Sequence, residues 1–368
     1  MATQTMEVTK TDLKRIEEKV LSGQRLTRED GIFLYKINDL LFLGALARYV
    51  KEKKTGNYAY FNVNRHINLT NVCTSRCKFC AFSADKDDSH AYTMTLEEAL
   101  ERALEAPKIG ATELHIVSGM HPDLPYSYYR DIISECKKAL PDVHIQAFTA
   151  IEIDYFSQLT GMSVREVLED LKEAGLGSMP GGGAEIFSNR VRGITCSKKA
   201  SGERWLEIMR TAHELGLRSN ATMLYGHVET IEERIDHLLK LRELQDETGG
   251  FQSFIPLPFH PDNTKLASIK RTTAFDDMKT HAIARLMLDN FDHIKAFWIM
   301  VGLKLAQLSL DFGVDDLDGT VVEEKITHSA GAQTEEFIEV EELIRLIKDA
   351  GRVPVQRDTL YNVIRIYQ

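Results

Sequence analysis

The sequence predicts an α/β fold: a (β/α)8 TIM-type barrel preceded by helices and followed by a helical tail. Three observations carry this. Eight short β-type runs recur along the chain, and most are separated by amphipathic helix patterns. Several helix patterns open on a hydroxyl and an acid three residues apart, and several close on a glycine. Strands alternating with helices indicate a parallel sheet, and eight of them favour a closed barrel over an open doubly wound sheet. No repeat, linker or low-complexity tract divides the 368 residues. One domain is therefore expected, with N-terminal helices over 1–60, the barrel over 61–322 and a C-terminal extension over 323–368.

Taken in order, residues 1–55 read as helical. Leu13, Ile16, Val20 and Leu21 share one face and Gly23 marks a stop. Thr27 with Asp30 opens a short second helix, and residues 38–53 form a third. Strands are expected at 66–72, 113–118, 143–149, 177–180, 220–226, 251–256, 294–301 and 314–318. Thr95 with Glu98, Ser163 with Glu166 and Thr230 with Glu233 fit capping boxes, in which hydroxyl and carboxylate satisfy each other's backbone donors. Gly110, Gly175 and Gly216 fall just past helix ends. The seventh and eighth runs have the least strand character, so a barrel short of a stave is the alternative. The tail holds a helix over 340–350 and an alternating apolar segment over 361–367.

The composition is 43% hydrophobic and 27% charged, an ordinary globular balance. Forty-five Lys and Arg against fifty-five Asp and Glu give a net charge of −10, which argues against a nucleic-acid partner held by bulk charge. The longest apolar runs, 40–47 and 296–303, are too short to span a bilayer. The first residues resemble no secretion signal, so a cytoplasmic location without membrane insertion is expected. Five cysteines, three of them in one short segment, are no disulfide framework.

That segment, Asn71-Val-Cys73-Thr-Ser-Arg-Cys77-Lys-Phe-Cys80-Ala-Phe82, follows the first expected strand. The C-terminal strand ends of a barrel form its active-site face. Three thiolates on one loop can converge on a metal or a cluster. Structural zinc is usually closed by four ligands, and iron–sulfur clusters are commonly held by four cysteines. Three leave one position open. On spacing alone, a zinc ion completed by one of the twelve histidines is the alternative. Cys136, in a helix pattern, and Cys196, in a basic loop, read as buried or incidental thiols.

Other strand ends carry candidate chemistry. Val117-Ser-Gly-Met-His121-Pro is an ordinary turn or a ligand-facing loop. Pro180-Gly-Gly-Gly-Ala-Glu185 lets backbone approach a ligand and places a carboxylate after it. A phosphate loop would need a following Lys-Ser or Lys-Thr, which is absent; a carboxylate suits a ribose diol. The bland reading is a helix-start acid after a flexible turn. Pro256-Leu-Pro-Phe-His260-Pro is a rigid rim carrying a histidine.

Cys-x3-Cys-x-aromatic-Cys after a first barrel strand resembles the signature of the radical S-adenosylmethionine superfamily. The resemblance implies that Cys73, Cys77 and Cys80 hold a [4Fe–4S] cluster whose open iron binds S-adenosylmethionine as co-substrate. It implies a one-electron reductant of flavodoxin or ferredoxin type, and a 5′-deoxyadenosyl radical as the reactive product. It places Phe79 against the adenine and the Ser118 and Gly119 backbone near the amino group, although the acid of that motif is missing here. Glu185 would take the ribose, and Tyr225 and Gly226 belong to the fifth-strand Gly-x-x-Glu motif, whose backbone runs along the adenine.

Residues 115–125, 180–186 and 221–230 resemble a small group within the superfamily. It contains the aminofutalosine synthases, the cyclic dehypoxanthine futalosine synthases and the enzymes that build the deazaflavin chromophore of coenzyme F420. Residues 218–222, 251–256 and 315–332 are most similar to the aminofutalosine synthases of the futalosine route to menaquinone. This implies addition of the radical to 3-[(1-carboxyvinyl)oxy]benzoate, migration of the aryl group and loss of CO2. Two substrate carboxylates then need cationic or donor partners. Arg65, His66, His121, Arg192, His227, His260 and His328 are candidates, with His121 and His260 first because both lie just past strand ends. Any one of them is more often a satisfied core or surface group. The alternatives are the two related activities, a zinc-dependent barrel enzyme on the same cysteines, and a non-catalytic iron–sulfur sensor.

Overall fold

The computed structural model describes residues 9–368. The first eight residues of the segment read as helical lie outside this range. Three helices follow, Lys10–Leu21, Arg28–Lys36 and Leu40–Thr55. Thr9 with Asp12 and Thr27 with Asp30 close capping boxes at the first two. Asp30 is buried, and its charge is met by Lys19 at 2.6 Å and Arg15 at 2.5 Å. The third helix packs against Ala274–Met287 on the outside of the barrel.

Eleven strands occur among the described residues: β1 Tyr58–Asn62, β2 Asn64–Asn68, β3 Glu113–Val117, β4 His144–Ala147, β5 Ser178–Met179, β6 Arg218–Tyr225, β7 Phe251–Pro258, β8 His293–Ile294, β9 Asp316–Gly319, β10 Val353–Arg357 and β11 Val363–Ile366. β2 to β8 form a seven-stranded parallel sheet in sequence order. Its two edges meet the same segment. Lys295 bridges Asp316 and Arg65 bridges Val322, both in parallel sense. The Ala296 N–H donates to the Asp316 carbonyl at 2.9 Å, and the His66 N–H to that of Val322 at 3.0 Å. Residues 316–322 therefore stand as an eighth, irregular stave. The expected barrel forms, and its closing stave is bent by positive φ at Asp318 (65°) and Val321 (51°).

All eight expected strands are found, with shifted bounds. The seventh is the main correction. It was expected over 294–301 but ends at Ile294, and Trp298–Val301 is a helical turn whose indole N–H donates to the Gly319 carbonyl at 2.8 Å. β1 and β10 were not anticipated. They join β9 and β11 in a second sheet of order β11-β10-β1-β9 beside the closing stave. The capping boxes at Thr95, Ser163 and Thr230 are all closed. Between the strands these helices bury apolar faces against the sheet. Val167, Leu168 and Leu171 of Val164–Ala174 are fully buried, a spacing that puts them on one helical face.

Candidate active site

A cavity of about 370 Å³ opens at the C-terminal ends of the barrel strands and runs into the lumen. Its first wall is the cysteine loop. The Cys73 N–H donates to the Ala84 carbonyl at 3.1 Å and the Lys78 N–H to that of Thr195 at 2.8 Å. Arg76 turns the chain in the left-handed region at φ 46°, and its guanidinium holds the Ser83 carbonyl at 2.8 Å. This fold of the loop brings Cys73, Cys77, Phe79 and Cys80 to the cavity. All three cysteines are free thiols, and burial pushes Cys77 up to about 12. Cys136 and Cys196 are buried and do not line the cavity.

The second wall is the glycine loop after β5. A Cβ on Gly181 would meet the Asn220 backbone at 2.7 Å, so only glycine lets the loop lie this close to β6. Arg192 is buried and donates to the Ala184 carbonyl at 2.8 Å and, through Nε, to the Ala200 carbonyl at 2.9 Å. It fastens this loop and does not line the cavity. Glu185 lines the cavity and pairs with Lys199 at 2.8 Å. The Lys199 ammonium also lies 5.2 Å from the centre of the Phe79 ring.

Ser118 and Gly119 form the third wall. A Cβ on Gly119 would meet the Val72 carbonyl oxygen at 2.4 Å, so this turn is pressed against the segment between β2 and Cys73. The Ser118 N–H donates to Glu152 Oε1 at 2.7 Å. Glu152, from the helix Ala150–Thr160, thus brings a cavity-lining carboxylate to the place where the motif's own acid is missing. Burial raises it to about 7 against the pull of Thr149 and Ser118. Its sequence signal was available: Thr149 and Glu152 make a capping box directly after β4.

Several expected residues are not brought to the cavity. His121 Nδ1 accepts the Asp123 N–H at 3.1 Å and its carbonyl accepts the Tyr155 hydroxyl at 2.6 Å, so it serves a turn outside the lining. Tyr225 points outward, donating its hydroxyl to Asp277 at 2.7 Å, and the Gly226 N–H is taken by Glu229 at 2.6 Å. Alternate residues of a strand face opposite sides; Thr222 and Leu224 are the ones that line the cavity. Arg65 pairs with Glu105 and Glu323 at 2.6 and 3.0 Å. His227 bonds the Leu224 carbonyl at 2.9 Å. His328 donates to the carbonyls of Glu324 and Thr334 at 2.6 and 2.9 Å, beside the Glu324 carboxylate, which raises it to about 9.

His66 and His260 do line the cavity. His260 donates from Nε2 to the Met300 carbonyl at 2.9 Å, leaving Nδ1 buried without a partner. Burial also lowers its pKa. A neutral ring held in this tautomer presents an acceptor, so it fits a ligand N–H or O–H and not a carboxylate. Deeper in the lumen are side chains that the sequence reading passed over: Glu113, His115, Gln146, Asn220, Lys295 and Asp318.

The model of the radical SAM superfamily matches residues 67–241, and a model described as the CofH/MqnC C-terminal region matches 248–368. The aminodeoxyfutalosine synthase of Thermus thermophilus is 49% identical over 356 residues, which cover 96% of each chain. The chain belongs to the radical S-adenosylmethionine superfamily. Another relative by sequence is the 5-amino-6-(D-ribitylamino)uracil–L-tyrosine 4-hydroxyphenyl transferase of Methanopyrus kandleri, 43% identical over 87% of this chain and 88% of its own. Among solved structures, methylornithine synthase superposes with a TM-score of 0.74 at 18% identity, over 92% of this chain and 97% of that one. At that identity it shows the shared barrel fold.

The superfamily uses a [4Fe–4S] cluster and S-adenosylmethionine. The donor set fits both. Three free thiols line one cavity beside a glycine loop, a carboxylate and an aromatic ring. Among the described residues no three His, Cys, Asp or Glu side chains converge as ligands of one ion.

Proposed function

We propose that this radical SAM protein is an aminodeoxyfutalosine synthase. It joins the 5′-deoxyadenosyl unit of S-adenosylmethionine to 3-[(1-carboxyvinyl)oxy]benzoate, with aryl migration and loss of CO2, and yields 6-amino-6-deoxyfutalosine for menaquinone synthesis. The observation that carries this is the 49% identity along nearly the whole chain, tail included. When bound, the cluster and S-adenosylmethionine supply a carbon radical that no protein side chain can provide.

The chain's own residues bind, orient and exclude. Cys73, Cys77 and Cys80 would hold the cluster. Phe79, the Ser118–Gly119 turn, Glu185 and the Leu224 segment would hold S-adenosylmethionine, with Lys199 beside Glu185 and Glu152 fixing the turn. The His260 Nδ1 acceptor would receive an N–H or O–H of either ligand. Phe259, Phe297 and Met300 line the same cavity and keep water from it. Glu113, His115, Gln146, Asn220, Lys295 and Asp318 at its inner end suit a substrate with two carboxylates. We read the chain as one barrel domain with terminal extensions, reduced by a flavodoxin- or ferredoxin-type protein in the cytoplasm. None of the helices among the described residues is long and apolar enough to cross a membrane.

The test is a product assay on anaerobically reconstituted protein with S-adenosylmethionine and dithionite. The enolpyruvyl ether is expected to give an adduct of aminodeoxyfutalosine mass, on protein carrying about four irons and four sulfides. Product only from tyrosine with 5-amino-6-(D-ribitylamino)uracil would assign the chain to the transferase activity. One zinc and no iron would overturn the radical reading.

A further inference from the structure

Closed barrels normally fill their lumen with branched apolar side chains. Here the inner end of the cavity is polar. His66 and His115 stack with ring centres 4.5 Å apart and planes 13° from parallel. Lys295 and Asp318 form an ion pair at 3.1 Å, with 5% and 8% of each residue exposed. All four line the cavity. The Lys295 N–H donates to the Phe254 carbonyl at 2.9 Å, in the middle of β7, so this lysine springs from mid-depth of the barrel.

The pair is not accounted for by packing. Burying an ammonium and a carboxylate costs several kcal/mol that their attraction offsets only in good geometry. A lysine has three donors, and Asp318 takes one of them. Asp318 is placed there by an unusual backbone, at φ 65°, with its N–H held by Asp316 Oδ1 at 2.7 Å. A left-handed non-glycine residue beside a cavity, supporting a buried charge, marks a site under functional constraint.

We propose that Lys295, oriented by Asp318, anchors the ring carboxylate of the aryl enolpyruvyl ether at the inner end of the lumen. The inference rests on the function proposed above and names the group that selects its substrate. The vinyl carbon must face the strand ends, where the cysteine loop, Glu185 and Phe79 stand. The opposite end of a rigid meta-substituted ring then points down the lumen. Of the two lysines that line the cavity, Lys199 is at the strand ends and engaged by Glu185 and Phe79. Lys295 is the cation at the other end. Asp318 is matched by Lys295 itself before substrate enters, and Glu113 accepts the Asn62 amide at 3.1 Å. Gln146 and Asn220 also line the cavity; each amide already donates once, to Ser178 at 3.1 Å and to Gln146 at 3.4 Å, and keeps one N–H for the second carboxylate oxygen.

The test compares the ether with its ring carboxamide, 3-[(1-carboxyvinyl)oxy]benzamide, on the wild type, Lys295→Gln and Lys295→Arg. The wild type is expected to favour the acid by about 10- to 100-fold in kcat/KM, the worth of one charge-assisted hydrogen bond. Lys295→Gln should lose that preference through KM for the acid and leave the amide within about 3-fold, and Lys295→Arg should keep it. Calorimetric binding of 3-hydroxybenzoate and 3-hydroxybenzamide to the protein should show the same pattern without turnover. Equal losses on acid and amide in Lys295→Gln, with iron content and S-adenosylmethionine cleavage intact, overturn the anchor alone. A wild type that gives no adduct from either compound overturns the proposed function, and the anchor with it.

Discussion

At the scale of single residues, the site divides into groups whose loss should be seen in different measurements. Cys73→Ala, Cys77→Ala or Cys80→Ala should each drop iron below the about four per chain of a complete cluster and abolish S-adenosylmethionine cleavage. Cys136→Ala and Cys196→Ala should leave iron content unchanged, since both thiols lie in the protein interior off the cavity. Iron analysis after reconstitution decides between these outcomes. Glu152 offers a second test. Its folded pKa is raised to about 7 from an ordinary 4.5, so the folded state binds the proton more tightly than the unfolded state. The stability it contributes is present below about pH 4.5 and lost as pH rises through 7. Wild type should therefore exceed Glu152→Gln in urea midpoint by more at pH 5.5 than at pH 8. An unchanged difference would mean that Glu152 stays ionised throughout. The side chains of His121 and Tyr225 lie off the cavity lining. Each sits at a strand end, but the facing of one side chain depends on strand phase and turn geometry, and a shift of one residue reverses it.

At the scale of elements, the segment after the closing stave matters most. Glu324, Ile326, Thr327 and Ala330 line the cavity, so residues 324–330 form part of its roof. His328 holds this roof by donating from both ring nitrogens to the Glu324 and Thr334 carbonyls. A histidine donates from both nitrogens only when protonated. Its pKa, raised to about 9, means that the stability the clasp contributes is full below about 6.5 and is lost as pH rises through 9. Hydrogen exchange of 326–332, corrected for the intrinsic rate, should show local opening becoming easier between pH 7 and 9.5, and His328→Gln should remove that dependence. Nothing in the sequence pointed to this role, because both acceptors are backbone carbonyls fixed by a non-repeating turn. The helices were legible for the opposite reason. Capping boxes and amphipathic spacing are local, and every predicted box was found closed.

At the scale of the whole molecule, the barrel is held shut by its most irregular stave and by the tail strands beside it. Arg357 of β10 and Asp316 of β9 pair at 2.6 Å with 1% or less of either side chain exposed. Removing one partner leaves the other charge buried, which typically costs about 3–5 kcal/mol. Asp316→Asn should therefore lower the unfolding free energy by roughly that amount and shift the urea midpoint without changing iron ligation by the cysteine loop. A cost below about 1 kcal/mol would mean that the pair contributes little to closure.

By itself the sequence determined the alternation of strands and helices, the caps that bound many of them, and the cysteine loop, whose function lies in the spacing of three thiols on one continuous segment. It also determined the composition of the glycine loop and the carboxylate after it. Tertiary structure alone decided which side chains share the cavity. Glu152 meets Ser118, Lys199 meets Glu185 and Phe79, and Lys295 meets Asp318 only because eight staves close a circle. That closure depends on a bent segment whose strand signal is weak, and it joins Arg65 to Val322, 257 positions apart. Local patterns report what a segment prefers to be; which wall of a barrel it faces is set by register and closure, and those are properties of the folded chain.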